Sequence, residues 1–155
     1  MDFRITGLPA APFEHLYGLS DDALREFGAE RCIATTQPGY PDRIELRDAE
    51  PGEKLLLLNY VHQRADNPYR ASHAIFIIEG ATQTYSAVNA VPEVMRTRPL
   101  SLRAFDRDDR IIDADIVDGA AATTLIQRLL AQPAVAYLHA HYARRGCYAA
   151  RIDRA

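Results

Sequence analysis

A chain of 155 residues is the length of one domain, and it can bury a sizeable core without disulfides or structural metal. With 48% hydrophobic and 25% charged residues it is not a disordered chain, and its net charge of −3 with a pI of about 5.9 leaves no electrostatic footprint for nucleic acid. No apolar run approaches the ~20 residues that span a bilayer, and Met1-Asp2-Phe3-Arg4 lacks the layout of a signal peptide; the expectation is a cytoplasmic protein with Cys32 and Cys147 as reduced thiols.

The residues 1–155 read as a single domain, without repeat, low-complexity tract or linker. Phe3-Arg4-Ile5 is a short strand, ended by Gly7, Pro9 and Pro12. Ser20 caps a helix whose first turn carries Asp21 and Asp22, and Gly28 stops it. Strand signals follow at Arg31–Thr35, Arg43–Leu46, Lys54–His62, Ala74–Ile78, Leu100–Phe105 and Ile111–Val117, with Asp106–Asp109 as the turn between the last two. Ala122, Leu125, Ile126, Leu129 and Leu130 recur at helical spacing before Pro133. Two closing strands, Val135–Tyr142 and Cys147–Asp153, complete a pattern that predicts an α+β fold: a mostly antiparallel sheet of short strands with two main helices. No glycine-rich strand-to-helix loop, Gly-x-Ser-x-Gly elbow, His-Glu-x-x-His or Cys-x-x-Cys appears, so the familiar nucleotide and nucleophile signatures are excluded. Lys54 is the only lysine, so 17 of the 18 basic residues are arginine; a G+C-rich coding sequence accounts for such a bias, and the functional alternative is that some of them grip carboxylate or phosphate bidentately.

The C-terminal pair of strands carries the most chemistry. With Arg144-Arg145-Gly146 as a three-residue loop, Ala143 falls opposite Cys147, His141 opposite Ala149 and His139 opposite Arg151. Leu138, Ala140, Tyr142, Tyr148, Ala150 and Ile152 then share a core face, and His139, His141, Cys147, Arg151 and Asp153 share the other. That second face has three readings: a solvated surface, a ligand or catalytic surface without metal, or a metal site with Cys147 as a third ligand. Because only His139 and His141 are secured on one face, no metal or other cofactor is assigned. A second constellation, the long segment from His62 to His73, offers Asn67, Tyr69, Arg70, Ser72 and His73, with Arg103 as an addition to the same surface.

Several segments together resemble a family of small bacterial proteins known as domain of unknown function 1203: Phe3–Pro9, Pro38-Gly39-Tyr40-Pro41, Asn67-Pro68-Tyr69-Arg70 with Ile75-Phe76, Leu100–Asp106, and the closing run from Tyr137-Leu138-His139 to Gly146–Arg151. The resemblance implies a cysteine in many members where this chain has Asp42, so a shared thiol mechanism through that position does not carry over, nor a shared metal mechanism unless the aspartate serves as the ligand. The resemblance implies a bacterial protein and no particular activity. The residues themselves point to a small-molecule site for an anionic ligand. Arg70 and Arg151 would hold carboxylate or phosphate beside Asn67, Tyr69, His73 and Arg103, and His139, His141 and Cys147 would supply catalytic groups. The rival reading is a non-enzymatic protein-interaction module. A convergent cleft lined by His139, His141 and Arg70 would distinguish the first from the second.

Overall fold

The computed structural model describes all of residues 1–155 and has the expected α+β architecture. In chain order the elements are β1 (Phe3–Thr6), α1 (Asp21–Glu26), β2 (Ala29–Ile33), β3 (Lys54–Gln63), β4 (Ala71–Ile78), β5 (Ser86–Val88), α2 (Glu93–Arg96), β6 (Pro99–Phe105), β7 (Ile111–Asp118), α3 (Ala122–Leu130), β8 (Tyr137–Tyr142) and β9 (Tyr148–Arg154). Six strands form one sheet in the order β5-β1-β9-β8-β6-β7, and β2-β3-β4 form another; the named strands all pair antiparallel.

Local chemistry sets the element ends. Ser20 Oγ accepts the Ala23 N–H at 3.1 Å to start α1, and Gly28 at φ +69° ends the turn that follows. At the β6–β7 turn the Asp106 carboxylate accepts the N–H groups of Asp108 and Arg110, both at 2.9 Å. The far end of α3 is held by Arg154, whose guanidinium donates to the carbonyls of Leu130, Gln132 and Val135.

Two cores result. In the first, the apolar stripe of α3 (Leu125, Ile126, Leu129, Leu130) packs on Phe3, Ile5, Leu100, Leu102, Leu138, Ala140 and Ile152 of the six-stranded sheet. The second joins Leu55, Leu56, Ile75 and Ile77 of the small sheet to Leu8, Phe13, Leu16, Leu24 and Ile44, and takes in Tyr148 from β9. The centre of the large sheet is therefore covered on both faces, and every residue of β8 is buried.

Three sequence expectations are corrected. Arg43–Leu46 is a loop, not a strand, with Leu46 at φ +50°. Its backbone is taken by a side chain: the buried Asp42 carboxylate accepts from Ile44 N–H and Glu45 N–H through one oxygen and from Ile78 N–H, at 2.7 Å, through the other. The segment between the strands of the first long hairpin is shorter than predicted. His62 lies at the end of β3 and His73 inside β4, leaving only Arg64–Arg70 as loop.

The C-terminal hairpin keeps the predicted pairs Leu138–Ile152, His139–Arg151 and Ala140–Ala150, and then slips, so that His141 faces Tyr148 instead of Ala149. Tyr142 N–H donates to Cys147 O and Gly146 N–H to Tyr142 O, with Gly146 at φ +78°; the extra residue is absorbed as a bulge at Ala149. The slip moves Tyr148 off the predicted core face and onto the histidine side.

Asp42→Asn tests the carboxylate that displaces the ladder. Both carboxylate oxygens face N–H donors, so an amide nitrogen would confront a donor in either orientation. A loss of about 1–3 kcal/mol is expected in urea unfolding at neutral pH.

Candidate metal centre and its cleft

The bulges of the two hairpins lie at one place. In β3 the pairing with β4 skips His62, between Val61–Ser72 and Gln63–Ala71. In β9 it skips Ala149, opposite the His139-Ala140-His141 segment. A bulge re-aims the side chains around it, and these two turn residues of different sheets toward each other. The His62 ring stacks on Tyr148 with centroids 5.2 Å apart and meets the His141 ring edge-on at 4.9 Å.

One ring nitrogen from each of His62, His139 and His141 lies within 4.8 Å of the others. Three imidazole nitrogens on a tetrahedral zinc stand about 3.3 Å apart, given Zn–N bonds of roughly 2.0–2.1 Å. Small ring movements would close the difference. The tautomer of His141 follows from its neighbour: Nδ1 lies 2.9 Å from Gly146 O, which can only accept, so Nδ1 carries the proton and Nε2 keeps a lone pair. That Nε2 is buried without a partner, as are Nδ1 of His62, His139 and the adjacent His73. Buried polar atoms are nearly always satisfied, so four unpaired ring nitrogens in one neighbourhood single the place out.

Electrostatics keep the three rings neutral. Burial first, and then the charges of Arg103 and His73, lower the pKa of His62 to about 4. Burial, and then the charges of His141, His62, Arg151 and Arg103, lower His139 to about 3. Burial and Arg103 lower His141 to about 3, against the Gly146 carbonyl, which favours the protonated ring. All three are lone-pair donors at neutral pH.

The cluster borders a cleft of about 450 Å³, whose wall includes His62, His139, Tyr148, Tyr137 and Arg151. Arg151 stacks over the Tyr137 ring at 4.0 Å and pairs with Asp153, while the Tyr137 hydroxyl donates to Asp109 and accepts from Gln63 Nε2 at 2.9 Å. Arg103, half-buried beside His139 in the register of β6 and β8, has no ion pair or side-chain hydrogen bond, and burial lowers its pKa.

The predicted constellations meet only in part. His139, His141, Arg151 and Arg103 gather as expected, the two histidines buried, Arg103 half-buried and Arg151 exposed at the edge. Cys147 is on the other side of the hairpin tip, where its sulfur accepts from Arg43 Nη2 at 3.1 Å; the bulge separates it from the histidines. The third member of the cluster is His62. Its sequence signal was two-residue alternation with Leu58 and Tyr60 along β3, which gives a strand face but not what that face meets. Asn67 is structural: its side chain donates to the carbonyls of Asp108 and Asp109 and accepts from Tyr69 N–H, docking the β3–β4 loop on the β6–β7 turn. Tyr69 and Arg70 are exposed and do not line the cleft beside the histidines, Arg70 donating to the Arg64 carbonyl. His73 lines a separate cleft near the β8–β9 hairpin tip, and its charge reaches His62 and His141.

A family model described as "Protein of unknown function (DUF1203)" matches residues 39–154, a span that holds all three histidines and the Asp42 loop. No curated protein and no solved structure matches the chain.

The lowered histidine pKa values make stability depend on acid in a defined direction. Unfolded histidine titrates near 6.5, so between pH 6.5 and about 4 the unfolded chain binds protons that the folded chain refuses. Stability is complete above pH 6.5 and is lost as pH falls, by up to about 1.4 kcal/mol per pH unit for each histidine. Urea unfolding of metal-free protein from pH 7.5 to 5 measures the slope, and His139→Asn is expected to reduce it by close to one proton.

Proposed function

Because the chain belongs to the family described as protein of unknown function DUF1203, a label that carries no activity, we propose its function from geometry: His62, His139 and His141 hold one divalent transition-metal ion, zinc being the ion expected, beside a cleft that takes a small anionic molecule. The observation that carries this reading is the convergence of three neutral imidazoles, two buried and His62 half-buried, each with an unpaired buried ring nitrogen. Neutral imidazole is the common protein ligand of such ions, and three leave one position of a tetrahedron open. Gly146 supplies the outer hydrogen bond that a metal-ligating histidine usually makes.

Two arginines near the cluster then have distinct roles. Arg103, unpaired and half-buried, adds positive charge behind the histidines, so an anion at the open position relieves the electrostatic stress of a dication beside a guanidinium. Arg151, stiffened by Tyr137 and Asp153, lies at the wall where a carboxylate or phosphate would reach it. A bound zinc would supply Lewis acidity and a water of lowered pKa. The chain's own groups orient the ligand and limit water: Tyr148 and Tyr137 close the apolar side, and the Gln63–Tyr137–Asp109 hydrogen bonds fix that wall.

Protein purified without a histidine tag is expected to contain about one zinc per chain by elemental analysis. Metal-free protein should take up cobalt(II) with the intense visible absorption of a tetrahedral site. His62→Ala and His139→Ala should each weaken metal binding by about 100-fold or more, beyond the 10–100-fold typical of outer-shell changes. Cys147→Ser should leave it unaltered. Chelation should lower Tm while leaving the far-ultraviolet circular dichroism intact, since the cores do not run through the metal. Undiminished metal content in His62→Ala protein would remove the basis of the proposal.

A further inference from the structure

A second cleft, of about 580 Å³, opens on the other side of the β8–β9 hairpin tip. Its charge is one-sided. Arg43, Arg98, Arg144 and Arg145 line it together with His73, and no acidic side chain does. Arg98 is already matched, bidentately, by Asp48 at 2.6 and 2.9 Å. Arg43, Arg144 and Arg145 have no carboxylate partner.

Arg43 is the unusual one. It is 1% exposed, and its guanidinium donates to the Tyr148 carbonyl at 2.8 Å, to the Pro41 carbonyl and to the Cys147 sulfur. It also lies 5.0 Å from the centre of the Tyr142 ring, with Arg98 5.3 Å from the same ring. A buried cation without a counter-charge is costly, and proteins ordinarily pair it. Independently, the Tyr142 hydroxyl is buried and has no hydrogen-bond partner, although Tyr142 is 5% exposed and lines the same cleft. Buried hydroxyls are rarely left so. One occupant would answer both: an oxyanion that accepts from the hydroxyl and offsets the guanidiniums.

We infer that this cleft is a second binding site, separate from the histidine cluster, for a small molecule bearing a multiply charged oxyanion of the phosphate or polycarboxylate type. The guanidinium fork matches the planar or tetrahedral oxygens of either group. Leu57, Phe76 and Pro99 also line the cleft and offer contact to an apolar body. The volume lies within the range of small-molecule sites.

Inorganic phosphate and citrate serve as probes, titrated by calorimetry and by thermal shift at constant ionic strength, with chloride as the control. At least one of the two should bind in a saturable way and raise Tm where chloride does not. The same affinity is expected with the neutral chelator phenanthroline present, which separates this site from any metal at the histidines. Tyr142→Phe removes only an unpaired hydroxyl, so the free protein should be as stable as the wild type or more so, while anion affinity falls about tenfold. The Arg144→Ala/Arg145→Ala double variant should lose affinity by a similar or larger factor. Wild-type anion affinity in both variants, loss of binding with phenanthroline, or an equal Tm rise with chloride would each overturn the inference.

Discussion

The structure turns on the burial of β8 from both sides. A strand that closes a sheet over one core normally alternates apolar and solvated residues. Here Leu138 and Ala140 pack under α3, and His139 and His141 are enclosed by the small sheet. Polar side chains in that position cannot be hydrated, so each nitrogen needs a partner within the protein or a ligand. Gly146 provides one for His141. Three of the four histidines left with an unpaired nitrogen, His62, His139 and His141, converge, and the chemistry of the site follows from that convergence.

Enclosure also accounts for the electrostatics. The same burial that lowers the histidine pKa values holds Arg103 and Arg43 away from bulk water without carboxylates to match them. The other arginines that are not exposed are paired, Arg31 with Glu79, Arg47 with Glu53 and Arg98 with Asp48. Arg43 and Arg103 are thus set apart by being unpaired while withdrawn from solvent; the other arginines without an ion pair are exposed.

The hairpin tip connects the two clefts physically. Gly146 O fixes the His141 tautomer, while Arg144, Arg145 and Cys147 on either side of it line the basic cleft. Arg43 reaches under the tip to the Tyr148 carbonyl, and Tyr148 stacks on His62. The Asp42 carboxylate, by holding the backbone at Ile44, Glu45 and Ile78, sets the loop from which Arg43 projects. A few residues at the tip and in that loop therefore govern both sites.

By itself the sequence determined the α+β class, the course of most strands, the caps of α1, the stripe of α3 and the separation of His139 and Arg151 from Leu138 and Ile152. These are local matters of periodicity and turn chemistry, written in neighbouring residues. It did not determine that Arg43–Leu46 would yield its hydrogen bonds to Asp42, because a side chain competing with a ladder leaves no periodic trace. Nor could it reveal the slip at Ala149 that brings Tyr148 to the histidines and sends Cys147 away, since a bulge changes the facing of residues without changing their order. Only the tertiary structure decided that His62, 77 positions before His139, completes the cluster. Which residues share a strand face is fixed by the pleat of one segment, but what that face meets depends on how two sheets pack, and no local pattern encodes that.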